Sequence, residues 1–321
     1  MKQFAKVKNS DPSFRYIGRD AYIKGQYLLV YGYGIYTTPD FTRAYYVSGN
    51  KKLKGYREGP QRYARYGHIT GIVTNSTSSR HIWIADLGNN CIRTVNRTDH
   101  TSKELVGACE HPSVKDGIFG VARIAYPFEM AISPLEKKKV YFFERVAETL
   151  RCLERVGLTW QVRTVLYLRQ KIYGMNFDPN GDYMYFSTKS SIIRASSTWS
   201  TPAVDLISGT GHNDGALDSA KVQEASSMLF LNNDTFLFAD SNNHVIRVVD
   251  LSSSSVSTVC IPQTSDAEFL TGSISTCKFI APRYLYKFKD SWKVFIIGDH
   301  TVYELKYTGE SKLSSLNDAF G

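Results

Sequence analysis

Long apolar runs are missing from this chain of 321 residues, and no stretch approaches the roughly 20 apolar residues that a membrane-spanning helix requires. No membrane span is therefore expected, and the first residues lack the apolar core of a secretion signal. Helical periodicity is also scarce. The best candidate, residues 146–156, could place Leu150, Leu153 and Val156 on one face, yet it aligns better with a strand pair found elsewhere in the chain. No Gly-rich phosphate loop and no G-x-S-x-G elbow occurs, so nucleotide-loop and serine-hydrolase chemistry lose their usual signatures. Cysteine is sparse, five residues in all, and the seven histidines form no close ligand pair.

What the chain does have is repetition. ADLGNNCIR (Ala85 to Arg93) and ADSNNHVIR (Ala239 to Arg247) are one piece of structure written twice. Alignment on the terminal Ile-Arg adds VYFFERVAETLR, ending at Arg151 with Glu144 in the place of Asp86, and MYFSTKSSIIR, ending at Arg194 and one residue shorter. LLVYGYGIY and VFIIGDHTVY extend the rhythm to Tyr36 and Tyr303, so that the anchors are 57, 58, 43, 53 and 56 residues apart. A second element precedes several anchors. Glu58-Gly59, Asp116-Gly117 and Asp214-Gly215 are each followed five residues later by Ala64-Arg65, Ala122-Arg123 or Ala220-Lys221, and Gly272 by Cys277-Lys278. An apolar strand then begins, as at Gly71, Met130 and Met228.

This pattern resembles the NHL repeat, named for an Asn-His-Leu triplet, whose nearest matches here are Asn243-His244-Val245 and Asn89-Asn90-Cys91. The resemblance implies an all-β, six-bladed β-propeller of four-stranded antiparallel blades. Blades are expected over about 14–56, 57–109, 115–168, 170–209, 212–260 and 270–307, in a single domain over 1–321. Residues 2–7, where Gln3 to Val7 alternate, are the expected outer strand of the last blade, which would otherwise keep an exposed edge. The composition agrees without the family. Short runs rich in Val, Ile, Tyr, Phe and Thr alternate with Gly, Asn, Asp and Ser clusters, and 17 Phe and 21 Tyr supply flat side chains for packing between sheets.

The cysteines sit in this pattern. A hairpin folded about His100 puts Cys91 opposite Cys109, within disulfide reach. In the fifth repeat Cys260 ends the outer strand opposite Val245, so Cys277 at the start of the next repeat is its expected partner. Cys152, a strand residue, is expected to be a buried free thiol. Two such pairs point to an oxidising compartment, hence an extracellular or cell-surface location, with a cytoplasmic chain as the alternative.

Three N-glycosylation sequons begin at Asn75, Asn96 and Asn233. In propeller topology all three fall in turns of one face, which leaves the other bare. The bare face is expected to carry Tyr33, Arg62, His68, Asn89, Asn90, His111, Arg145, Glu148, His212, Asn213, His244 and His300. Residues that recur in every copy, such as Asp86 with Arg93 and Asp240 with Arg247, are better explained as braces: an Asp at a turn accepts backbone N–H bonds, and the Arg after it pairs with it.

The function expected is non-catalytic binding of a protein or other macromolecule through the bare face, with no cofactor. The net charge of +9 suits anionic partners. An RNA-binding role, known among NHL domains, is the first alternative, although acids mix with bases on the bare face and aromatics for stacking are few. A metal-dependent enzyme, lyase or lactonase/esterase, is the second, since propellers of this kind include both. Glu129 and Asn176 open inner strands where such esterases hold Ca²⁺, but Thr70, Ser227 and Tyr284 at the matching positions are poor ligands. The basic runs Lys51 to Lys54 and Glu136 to Lys139 are read as solvated turns.

Overall fold

A computed structural model describes residues 2–3, 14–20, 26–39, 44–74, 80–136, 138–259, 279, 281–287, 293–298 and 302–306. Among these residues the regular structure is strand, with three short 3-10 turns and no α-helix. The chain gathers into two compact units, Asp11–Lys171 and Met1–Ser10 with Ile172–Gly321.

Asp11–Lys171 contains three antiparallel sheets in sequence order. The first consists of Phe14–Asp20, Gln26–Tyr31, Tyr33–Thr38 and Tyr45–Asn50. The second runs Ile69–Thr74, His81–Asp86, Cys91–Asn96 and Thr101–Val106, and the third Pro127–Ile132, Val140–Glu144, Thr149–Val156 and Thr159–Tyr167. The helical candidate at 146–156 is thus a turn and a strand. Leading strands of neighbouring sheets touch: Thr70 Oγ1 donates to Pro127 O at 2.7 Å, and a Cβ on Gly71 would lie 2.8 Å from the Glu129 carbonyl carbon. Outward from there, Trp83, Ala85 and Ile92 of the second sheet pack on Met130, Phe142 and Leu153 of the third.

The other unit contains three more sheets. Gly174–Phe177, Tyr183–Ser187, Ser191–Ser196 and Val204–Ser208 form the fourth. Ala225–Phe230, Thr235–Asp240, Val245–Asp250 and Ser255–Thr258 form the fifth. The sixth contains Tyr284–Lys287, Lys293–Ile297 and Val302–Lys306, and its outer position is taken by Lys2–Gln3, with Lys2 opposite Glu304. Residues 4–7 of the expected closing strand lie outside the described residues. Phe236 and Phe238 pack with Ile192 and Ile207, while Leu237 and Ile246 pack with Leu285 and Ile296.

Four strands per sheet is too few for the second, third and fifth, which have five. The acid-Gly pairs read as turns are two-residue strands: Gly59–Pro60, Gly117–Ile118 and Gly215–Ala216 add to the outer edge of their own sheets. Gly59 and Gly215 sit at φ 126°, a conformation L side chains resist, and this turns the backbone onto the outer strand. The acid beside each glycine completes the pairing, as Asp116 and Asp214 accept the Thr164 and Thr258 amides, each at 2.8 Å.

The same three sheets carry a buried acid–arginine brace. Arg93, Arg151 and Arg247 pair with Asp86, Glu144 and Asp240 at 3.3, 2.9 and 3.1 Å, all six side chains fully buried. Each acid also accepts a backbone amide from the chain entering its sheet: Gly67 at 2.9 Å, Ala125 at 2.6 Å, Gln223 at 2.8 Å. Each arginine reaches back to the segment near the acid-Gly strand, through Arg57 O, Lys115 O and Asp214. Burial pushes the three carboxyls up in pKa, against the pull of the arginines and amides. In the fourth sheet the turn is not shorter after all. Ser187 pairs with Ile192 as Asp86 pairs with Cys91, so Arg194 has a serine where the others have an acid, and it lies over the Tyr183 ring at 4.7 Å.

Cys91 and Cys109 form the expected disulfide, with Cα atoms 5.0 Å apart. The register differs from a hairpin folded about His100. Ser102 faces Val95, a shift of three residues, and a bulge between Glu104 and Val106 starts the correction. Gly107 and Ala108, at φ 121° and 56°, finish it by turning the chain back toward Cys91. Cys260 and Cys277 lie outside the described residues. The ladder that precedes Cys260 does run as expected, with Arg247 opposite Thr258.

Removing one partner of a buried ion pair strands the other charge. Arg247→Met should therefore lower the unfolding free energy by about 3–5 kcal/mol in urea titrations, whereas Arg194→Met should cost about 1 kcal/mol. Cys91→Ala with Cys109→Ala should cost about 3 kcal/mol, as expected for a closed loop of this length, and a thermal melt would register it.

Candidate ligand-binding cleft

A cleft of about 650 Å³ opens between the first and second sheets, both in the Asp11–Lys171 unit. Its walls come from three places: the two-residue turn at Gly32 and Tyr33, the loop from Lys51 to Gly55, and the entry and turn of the second sheet at Gly67, His68, Leu87, Gly88 and Asn89. Local chemistry builds each wall. Asn50 Oδ1 accepts the Lys52 and Leu53 amides, each at 2.9 Å, which curls the loop so that Lys51, Lys52 and Lys54 are exposed. Gly67 and Gly88 lie back to back, and a Cβ on either would come within 2.6 Å of the other segment. Beneath them Asp86 takes the Gly67 and His68 amides, and Asn89 Nδ2 bridges Asp86 and Gly55 O at 2.8 Å each.

The electrostatics are one-sided. Among the described residues, three lysines and no carboxylate line the cleft. Asp86, beneath the cleft, is buried and matched by Arg93. Lys51 Nζ lies 4.1 Å from the Tyr31 ring centroid, in the range of a cation–π contact. Tyr31 and Tyr36 meet edge to face at 6.2 Å, in the part of the first sheet where the second, third and fifth have their ion pair. Burial pushes the Tyr36 phenol up, so it stays protonated and neutral.

Of the expected bare-face residues, Tyr33, His68 and Asn89 come together here. The other described ones do not line it. Arg62 covers the Tyr46 ring at 5.5 Å, and Arg145 covers Phe128 at 3.6 Å. Asn90 takes the Tyr126 amide at 3.0 Å, and Glu148 O accepts the Leu168 amide at 3.0 Å. His111 Nδ1 is 3.0 Å from Cys109 O, His212 Nε2 is 3.0 Å from Thr258 Oγ1, and His244 accepts the Ala281 amide at 3.1 Å. Asn213 donates to Ser219 O at 3.0 Å. His300 lies outside the described residues. Among the described residues no three His, Cys, Asp or Glu side chains gather as a metal-binding group. Asn176 Nδ2 donates to Met228 O at 3.2 Å, tying two leading strands together.

The lysines are what the sequence reading missed. Lys51 to Lys54 follow the fourth strand of a repeat, and such connecting loops emerge at the same end as the Leu87–Asn90 turn; the topology alone held that signal. Asn96 ends its strand at the opposite end of the second sheet, and exposed Asn233 likewise lies across the fifth sheet from the Ser241–His244 turn. Asn75 lies outside the described residues.

Cys152 is buried, and burial pushes its thiol up to about 12, with Glu154 adding to the effect. At pH 8 in native buffer, iodoacetamide should leave the Cys152 peptide unmodified, and in denaturant it should alkylate it; peptide mass spectrometry reads both.

No family model matches the chain, and no curated protein matches it in sequence. Solved structures do resemble it in fold. A streptogramin B lyase aligns over 94% of this chain and 96% of its own, with TM-score 0.57 and 12% identity. A chain of a nidogen/laminin complex aligns over 88% and 94%, with TM-score 0.56 and 10% identity. An auxiliary nutrient binding protein from Bacteroides ovatus aligns over 87% and 83%, with TM-score 0.54 and 13% identity. These neighbours are β-propeller-like, and this chain is all-β, with four- and five-stranded antiparallel sheets. At such identities the likeness concerns fold alone.

Proposed function

We propose that the six sheets are the blades of a six-bladed, NHL-like propeller, and that the chain is a non-catalytic binding module for an acidic macromolecular surface. The observation that carries this is the cleft at Tyr33, His68 and Asn89, walled by Lys51, Lys52 and Lys54 with no carboxylate among the described residues. A cluster of cations beside an aromatic ring attracts anionic groups and speeds their encounter. The ligand is a protein or other macromolecule that presents carboxylates to this end of the sheets. A disulfide between Cys91 and Cys109 supports an extracellular or cell-surface setting, where such bonds persist. Among the described residues no helix is long and apolar enough to cross a membrane.

Labelled polyglutamate, followed by fluorescence anisotropy, tests the reading. Lys51→Glu with Lys52→Glu and Lys54→Glu should weaken binding by at least about tenfold, and added salt should weaken wild-type binding steeply. The same charge change made at Lys103, Lys171 and Lys189 should have a small effect. Equal loss in both variants would reduce the cleft to general surface charge. Retardation of single-stranded RNA at moderate salt would favour the nucleic-acid reading instead. Stoichiometric Zn or Ca in the purified protein would favour an enzyme.

A further inference from the structure

A second cleft, of about 570 Å³, opens between the second and third sheets at the ends remote from Asp86 and Glu144. Two cross-strand pairs face each other across it: Trp83 with Thr94 on the second sheet and Arg155 with Trp160 on the third. The two indoles meet edge to face with centroids 5.9 Å apart. Trp83 and Leu105 are buried at its base, Trp160 is half-buried, and His81, Lys138 and Arg155 are exposed at its mouth.

Two features of the lining have no use in the fold. The Thr94 hydroxyl is buried with no hydrogen-bond partner among the described residues, an arrangement that costs about 1–3 kcal/mol when nothing answers it. Lys138 and Arg155 carry charge into a wall that has no carboxylate among the described residues, while the ion pairs close by, Arg163 with Glu154 at 2.8 Å and Lys139 with Glu136 at 2.7 Å, belong to neighbouring residues.

We propose that this cleft binds an acidic sugar, a pyranose ring bearing a carboxylate. The C–H face of the ring lies on the Trp160 indole, a ring hydroxyl meets Thr94 Oγ1 with His81 beside it, and the carboxylate takes the Arg155 fork and the Lys138 ammonium. Indoles set edge to face make no sandwich for a flat base. A single open indole with a hydroxyl and an imidazole at its side fits a ring with one apolar face and a polar rim. The site lies at the other end of the sheets from the lysine cleft and stands or falls separately from it.

Protein made without glycans, because Asn96 faces His81 across the same strand pair, is titrated with digalacturonate while tryptophan fluorescence is followed. A saturable change is expected. Arg155→Gln should weaken it by about tenfold or more, and Trp160→Leu should remove it. Thr94→Val should weaken binding by about fivefold while leaving the melting temperature equal or higher, since it deletes an unanswered buried hydroxyl. The methyl ester of the same disaccharide should bind at least about tenfold more weakly. A flat titration with digalacturonate, equal binding of the ester, or tighter binding of adenosine monophosphate would each overturn the proposal.

Discussion

A guanidinium sealed from water needs an opposite charge and hydrogen-bond acceptors around it, and in three of the six sheets this one requirement organises what surrounds it. Arg93, Arg151 and Arg247 each sit on the third strand of a sheet, bonded to an acid at the end of the second strand and to backbone oxygens of the segment before the first. The acid in turn accepts the amide of the chain as it enters the sheet. Start, middle and edge of the sheet are thereby fixed relative to one another by two side chains. Neither partner can be lost alone, because the low-dielectric interior that strengthens the pair also penalises a lone charge.

Sequence repetition made these braces legible: an acid seven residues before an arginine, found again with Glu144 for Asp86, could be read from one dimension. The acid-Gly pairs were equally visible, but their meaning was not. Gly59 and Gly215 read as turns because glycine adopts positive φ, and nothing local says that the strand they meet lies more than 40 residues further on. The Cys91–Cys109 pairing was found through a hairpin whose register was wrong by three residues; a bulge and two positive-φ residues, Gly107 and Ala108, restored the match. In the first sheet Tyr36 kept the rhythm of the repeat, but a tight turn at Gly32-Tyr33 and a pair of tyrosines replace the acid and arginine. A pattern anchored on charge had no hold there.

The candidate cleft was half legible. Tyr33, His68 and Asn89 could be placed at one end of the sheets from topology, whereas Arg62 and Arg145 lie over aromatic rings and Asn90, His111, His212, Asn213 and His244 have hydrogen-bond partners outside the cleft. Lysines in a loop look alike whether they face open solvent or a cleft, and only the Asn50 turn and the Gly67–Gly88 contact distinguish the two. The two ends of the second sheet differ in kind. One offers flexible ammonium groups around a glycine-floored opening, and the other a rigid indole corner with a guanidinium beside it.

The short strands at Gly59–Pro60, Gly117–Ile118 and Gly215–Ala216 also decide where the molecule is open to sideways growth. Each occupies part of the free rim of its sheet, so a foreign polypeptide that sought to extend the ladder there would first have to displace a segment held by an acid and an arginine. The first and fourth sheets have no such guard among the described residues, and their last strands, Tyr45–Asn50 and Val204–Ser208, are terminal in the ladder. Under stress, fibril-like self-association would recruit these two rims and spare the clipped ones.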